Sequence, residues 1–376
     1  MYQSILRAIT ACLLLSFNLC FTQSTEVLKN LQRDFTSITD EYLNINPEAT
    51  GVMSSVHFPN HPIWKYNLGY VGREKQKRLT GNELFIAASI TKTFVAACIL
   101  QLEEEGLLSI DDKVIKYIDA DTMKMLTAFK GKSYKKKVTI KHLLNHTSGI
   151  VDYLNNGQVH LDAYTNRPTK NYSLQERLNF AILHGKAAVK MGKYHYSNTN
   201  YILLGLIAEH VENNTIANIV QERIIIPLGL KNTSLNPSSK SSTKMFKGYY
   251  KDWDLTTFTL EFNKMNPAGG ILTNVDDLRL FAKALFEGRL FRSPATLNKM
   301  LEFQAGYGLG VMLFEKSKKT GRVFGHSGFD PGYTTYLIYL EDLDTTIITV
   351  INQSELRVKM PAFLVVKLVA AIKKAL

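Results

Sequence analysis

Three short polar segments sit in otherwise apolar surroundings and carry residue types suited to acyl transfer. The first is Ser89-Ile-Thr-Lys92. A serine hydroxyl is a weak nucleophile until a neighbouring base takes its proton. A lysine three residues on lies one helical turn away, on the same face. For Lys92 to act as that base, its pKa must fall from about 10.4 toward 7, a differential of roughly 4–5 kcal/mol. Burial together with a second positive group would supply it. Taken alone, these residues also fit a serine N-cap followed by a lysine that reaches back to solvent.

The second segment, Tyr194-His-Tyr-Ser-Asn-Thr-Asn200, directly precedes the apolar run Tyr201–Val211. In a loop ahead of a buried helix, Tyr196 and Asn198 are placed to face a cleft. A tyrosine beside a lysine can relay a proton, and an asparagine can bind a substrate amide. Ser197, Asn198 and Thr199 equally offer capping groups for that helix. The third segment is Gly325-His-Ser-Gly328, at the end of an expected strand. Glycine there lets a substrate backbone approach closely. His326 has the chemistry to orient a carboxylate, and a nearby backbone N–H can hold an oxyanion. A histidine in a tight turn is the plainer alternative.

Two other patterns do not hold up as sites. His142 and His146 have the spacing of a zinc pair, but no glutamate follows His142. Gly306-Tyr-Gly-Leu-Gly310 leads into a strand rather than a helix, so it is not a phosphate loop.

The elements that must position these groups follow from periodicity. An amphipathic helix is expected over Glu26–Asn44, then strands over Gly51–Phe58 and Ile63–Val71 around a Pro59–Pro62 turn. A helix from Ser89 to about Glu105 is apolar on nearly every side, as a buried helix is. Mainly helical sequence continues to about residue 245, with Thr139 capping a short helix and further helices over Tyr201–Val211 and Ile216–Ile226. The last third returns to strands at Leu309–Phe314, Arg322–His326, Tyr333–Leu340 and Thr345–Ile351, spaced as an antiparallel meander. A helix over Val275–Phe286, capped by Thr273 or Asn274, precedes them, and one from about Pro361 to Leu376 follows. The fold class is therefore α/β in the mixed (α+β) sense: an antiparallel sheet flanked by N- and C-terminal helices. A mixed lobe (24–88 and 246–376) carries an inserted helical lobe (89–245), with the site in the cleft between them.

The chain has 376 residues, 45% of them hydrophobic, enough for a sizeable core. Residues 1–23 read as a secretory leader: a positive charge at Arg7, the apolar run Ile9–Phe21, then small or polar residues at 22–24. The run is shorter than the ~18 residues a spanning helix needs. The mature chain is thus expected to be exported, periplasmic or secreted, with no integral span. Of the three cysteines, only Cys98 lies beyond the leader, so no internal disulfide can form. A formal net charge of +12 invites a nucleic-acid reading, but no recognition motif accompanies it. In an exported protein this basic balance suits acidic surface polymers better.

The order Ser89-x-x-Lys92, Tyr196-Ser-Asn198, His326-Ser-Gly328 resembles that of the serine penicillin-recognising hydrolases: class C β-lactamases, D-Ala-D-Ala carboxypeptidases and related esterases. The likeness extends to Glu105–Val114, His142–Gly149 and Asn266–Thr273, and so spans nearly the whole mature chain. It implies a β-lactamase/transpeptidase-like fold and an acyl-enzyme mechanism without metal or organic cofactor. By that analogy Ser89 attacks a carbonyl, Lys92 and Tyr196 share the proton transfers, and Asn198 binds the substrate amide. His326 and Gly328 flank the substrate, and the N–H groups of Ser89 and Phe329 form the oxyanion hole. Histidine at 326, where class C β-lactamases carry lysine, points to the carboxypeptidase, D-aminopeptidase and esterase branches. The expected partner is a small peptide or β-lactam. The expected activity is D-Ala-D-Ala carboxypeptidase-like, with β-lactamase, small-ester hydrolase and non-turnover penicillin sensor as alternatives.

Overall fold

Strands form where inward and outward residues alternate and β-branched side chains dominate. In a computed structural model the strands that frame the site are β1 (Gly51–His57), β2 (Trp64–Gly69), β3 (Phe85–Ile86), β4 (Leu272–Thr273), β5 (Met312–Ser317), β6 (Gly321–Asp330), β7 (Tyr333–Leu340) and β8 (Thr345–Ile351). The structure describes residues 26, 29–59, 62–154, 171–184, 188–318, 321–354 and 361–375. The leader read at 1–23 lies outside them.

Six of these strands make one antiparallel sheet in the order β2-β1-β8-β7-β6-β5, and β3 pairs separately with β4. The strands near the start of the chain thus complete the meander near its end, with Val52 opposite Ile351. β8 is buried along its whole length. Its Ile347 and Ile351 join one apolar cluster, Ile348 and Val350 the other.

The principal helices are α1 (29–45), α2 (Thr91–Glu104), α3 (Ile140–Leu144), α4 (Asn198–Glu212), α5 (Val275–Phe286) and α6 (Pro361–Ala375). α1 and α6 cover one sheet face, where Leu31, Phe35, Leu364 and Leu368 meet Val52, Val56 and Ile338. The other face opens into a larger core that runs without a break from Met53, Phe324 and Leu337 through α5 and α2 to α4. Phe94 of α2 stacks on Phe281 of α5 with centroids 3.5 Å apart.

Every residue from Thr91 to Leu100 is buried, so α2 runs through the interior as its all-round apolar sequence requires. At roughly 1.5–3 kcal/mol per large apolar side chain, Phe94, Ile99 and Leu100 offset much of the cost of burying Lys92 on the same helix.

Local signals act as expected at two caps. Thr139 forms a capping box with His142, and the Asn274 side chain accepts from the Asp277 N–H. His142 Nδ1 is therefore engaged at a helix start. The helix expected over Ile216–Ile226 contains a wider π turn at Gln221–Ile225 and ends at Gly229, whose φ is +64°.

Candidate active site

Ser89 does not cap a helix. It lies in a 3-10 turn, Ala88–Ile90, that leads into α2, and no side chain caps either element. Ala88, just before it, has a φ of +51°, a conformation that costs an L-residue about 1–2 kcal/mol. That conformation is held from both sides. The Ala87 N–H donates to Ile271 O at 2.7 Å, and its carbonyl accepts the Thr335 hydroxyl at 2.9 Å.

Gly328 completes the brace. A Cβ at this position would lie closer than 3.0 Å to both Ala87 O and the Thr335 hydroxyl. Glycine is needed here because β6 packs directly on the backbone that carries Ser89. Gly328 does not line the cavity, so the backbone it admits is the chain's own rather than a substrate's.

The Ser89 hydroxyl is the meeting point of two other groups. Lys92 Nζ lies 3.0 Å from Ser89 Oγ, and the Tyr196 hydroxyl donates to the same oxygen at 3.0 Å. Lys92 also reaches Asn198 Oδ1 at 2.9 Å and Ala268 O at 2.5 Å. As a neutral amine, Lys92 has two hydrogens for these two carbonyl oxygens and a lone pair for the serine proton. As an ammonium, it has a hydrogen for each of the three. The proton can therefore pass between Ser89 and Lys92 with no other partner moving.

Burial pulls the Lys92 pKa down from 10.5 to about 7, while Asp152 and Asp330 hold it from falling further. The shift thus comes from desolvation, not from the second positive group expected from the sequence. Burial pushes the Tyr196 phenol well above its ordinary value, so near neutrality it is a proton donor.

Asn198 is the first residue of α4, not part of the preceding loop. Its amide and backbone N–H both donate to Asp152, at 3.1 Å each. The result is a fixed chain from Asp152 through Asn198 to Lys92. One N–H of the Asn198 amide is left over for a ligand. Asp152 is a functional candidate that the sequence reading missed, although a lone carboxylate in Ile150-Val-Asp-Tyr153 was a usable signal.

His326 departs from expectation. β6 continues to Asp330, so this histidine is mid-strand, fully buried and absent from the cavity wall. Its Nε2 pairs with the Tyr307 hydroxyl at 2.8 Å and its Nδ1 with Ser327 O at 2.6 Å. Burial, then the Lys92 charge, lowers its pKa to about 3. It is neutral at physiological pH and offers no positive charge to a substrate carboxylate. His146 is also buried and neutral. Its Nδ1 accepts the Ser197 N–H, and its ring lies 4.2 Å from that of Tyr196.

Phe329 does line the cavity. The two-residue turn Pro331-Gly332 closes on the Asp330–Tyr333 pair. Ladder alternation then turns the Phe329 N–H away from β7. On that side, pairing with β5 stops at Gly325 opposite Met312, which leaves an open edge beside Ser89. The cavity measures about 870 Å³ and exposes Ser89, Tyr196, Asn198, Asp152, Asp330 and Phe329 among its walls.

A family model described as Beta-lactamase matches residues 51–370. The chain belongs to the Beta-lactamase family. This Beta-lactamase-family chain is 29% identical to Penicillin-binding protein 4* of Bacillus subtilis (strain 168) over 315 residues, 78% of this chain and 66% of that protein. It is 28% identical to Protein flp of Staphylococcus aureus (strain MW2) over 217 residues, 57% of this chain and 41% of that protein. It therefore spans less than two thirds of the length of these two curated relatives. The solved D-amino acid amidase of Ochrobactrum anthropi SV3, in complex with L-phenylalanine amide, matches with a TM-score of 0.75 at 24% identity. That match covers 92% of this chain and 99% of the amidase, and it is a likeness of fold. The antiparallel sheet with its flanking helices is thus the β-lactamase/transpeptidase fold.

Proposed function

We propose that this protein hydrolyses amide or ester bonds of small peptide-like substrates through an acyl-enzyme on Ser89. One observation carries the reading: Lys92 Nζ and the Tyr196 hydroxyl both stand 3.0 Å from Ser89 Oγ on a cavity wall.

In this scheme Ser89 gives its proton to neutral Lys92 as Oγ attacks the carbonyl carbon. The negative oxygen is held by the N–H groups of Ser89 and Phe329. Loss of one such donor typically costs about 10²–10³ in rate. The scissile C–N or C–O bond then breaks, and the leaving group takes a proton through Tyr196, which Lys92 replenishes. Water repeats the sequence on the ester, with Lys92 again receiving a proton, and releases the acid.

The finer activity is D-Ala-D-Ala carboxypeptidase-like action on wall peptides, in a protein exported to the periplasm or beyond by the leader at 1–23. A second reading is an amidase or aminopeptidase-like enzyme. It is favoured by the cavity's two carboxylates, Asp152 and Asp330, and by the neutral His326 where carboxylate recognition would call for positive charge. Turnover of a D-Ala-D-Ala peptide, an alanine amide, nitrocefin and a p-nitrophenyl ester, measured side by side, separates these forms. Failure to cleave any of the four would sink the hydrolase reading, and a trapped acyl adduct without product release would indicate a sensor.

A further inference from the structure

We propose that the Asp330 carboxylate receives a free α-ammonium group on the acyl residue of the substrate, so that unblocked aminoacyl amides and peptides are preferred over N-acylated ones. This presupposes acyl transfer at Ser89 and adds a specificity determinant to it.

Asp330 lines the same cavity as Ser89 and has no part in the proton transfers. Among the described residues, the one hydrogen bond to its carboxylate comes from Asn263 Nδ2 to Oδ2, at 2.7 Å. Asn263 is itself fixed, donating also to Thr259 O at 3.1 Å and accepting from Asn266 Nδ2 at 3.0 Å. One carboxylate oxygen is thus pinned, and the other has no donor among the described residues. Asp152 differs, because both of its oxygens are occupied by Asn198.

The turn that follows β6 does not need Asp330 as an anchor. The Thr259 hydroxyl donates to Pro331 O, and the Gly332 N–H donates to the Ser354 hydroxyl. Burial pushes the Asp330 pKa up to about 7, with the Asn263 hydrogen bond, then Arg177 and Lys92, offsetting the rise only in part. A carboxylate short of compensation in this way gains from an arriving cation. Among the described residues, Lys251 is the one lysine or arginine lining the cavity, and it is exposed.

Asp330 follows Phe329 directly in β6, and both line the cavity with Ser89. If the Phe329 N–H holds the carbonyl oxygen, Asp330 is the carboxylate on the same strand next to the bound acyl group.

The test compares kcat/KM for alanine p-nitroanilide of each hand with its N-acetyl counterpart, in wild type and in Asp330→Asn. Wild type is expected to prefer the unblocked substrate by about tenfold or more, and the variant to lose most of that preference. A wild-type ratio at or below unity overturns the proposal, as does a variant that keeps the wild-type ratio. Should the variant not fold, competitive inhibition of the wild type decides. Alaninamide is expected to bind about tenfold more tightly than propionamide, which lacks the amine, and equal binding overturns the proposal. Absence of any turnover or Ser89 acylation, p-nitrophenyl acetate included, would instead remove the acyl-transfer reading on which this one stands.

Discussion

Replacing Lys92 by methionine should change how stability depends on pH as well as abolish activity. Methionine keeps the length and apolar stem but cannot titrate. In the folded wild type, the amine loses its proton at about 7 instead of 10.5. Above pH 7 the unfolded chain therefore binds one more proton than the native state, and wild-type stability rises with pH. The slope is about 1.4 kcal/mol per pH unit, so between about pH 6 and pH 8.5 the wild type should gain about 2 kcal/mol relative to Lys92→Met. Without the lysine charge, Asp152 and Asp330 become harder to ionise, which acts in the same direction. Urea unfolding of both proteins at the two pH values reads the difference through their midpoints and slopes. Parallel stabilities across this range would refute the depressed amine, and with it the assignment of Lys92 as ground-state base.

Three further outcomes are expected. The acid limb of kcat/KM should fall about tenfold per pH unit below roughly 7, with no alkaline loss from Tyr196 in the ordinary working range, as a pH-rate profile would show. Gly328→Ala should destabilise by about 1–3 kcal/mol and slow acylation, because its Cβ meets Ala87 O and the Thr335 hydroxyl; thermal melts and burst kinetics read both effects. Asp152→Asn should lower acylation by roughly 10² through loss of the Asn198 clamp, and it should move the acid limb to lower pH, because a negative charge that supports the Lys92 ammonium is gone.

Much of this was legible in the sequence where local chemistry decides the outcome. The period-2 strands of the C-terminal meander, the all-round apolar α2 and the caps at Thr139 and Asn274 are set by neighbours in the chain. So is the one-turn spacing of Ser89 and Lys92. What remained hidden depends on long-range packing. Only the sheet brings Thr335 and Gly328 onto Ala87, and only the tight Asn266–Gly270 turn presents the Ala268 carbonyl to Lys92. His326 looked available because its strand was read as ending there. Four more strand residues and the buried Tyr307 turn it into a neutral interior group. Tyr307 itself went unnoticed inside a glycine-rich run that failed as a phosphate loop.

Intact-protein mass spectrometry after brief incubation with a labelled penicillin or activated ester, quenched in acid, tests the central claim most directly. The account requires a single acyl adduct on the peptide containing Ser89, forming faster as pH rises through about 7 and absent from Ser89→Ala. Turnover without that adduct, or an adduct on any other residue, would contradict it.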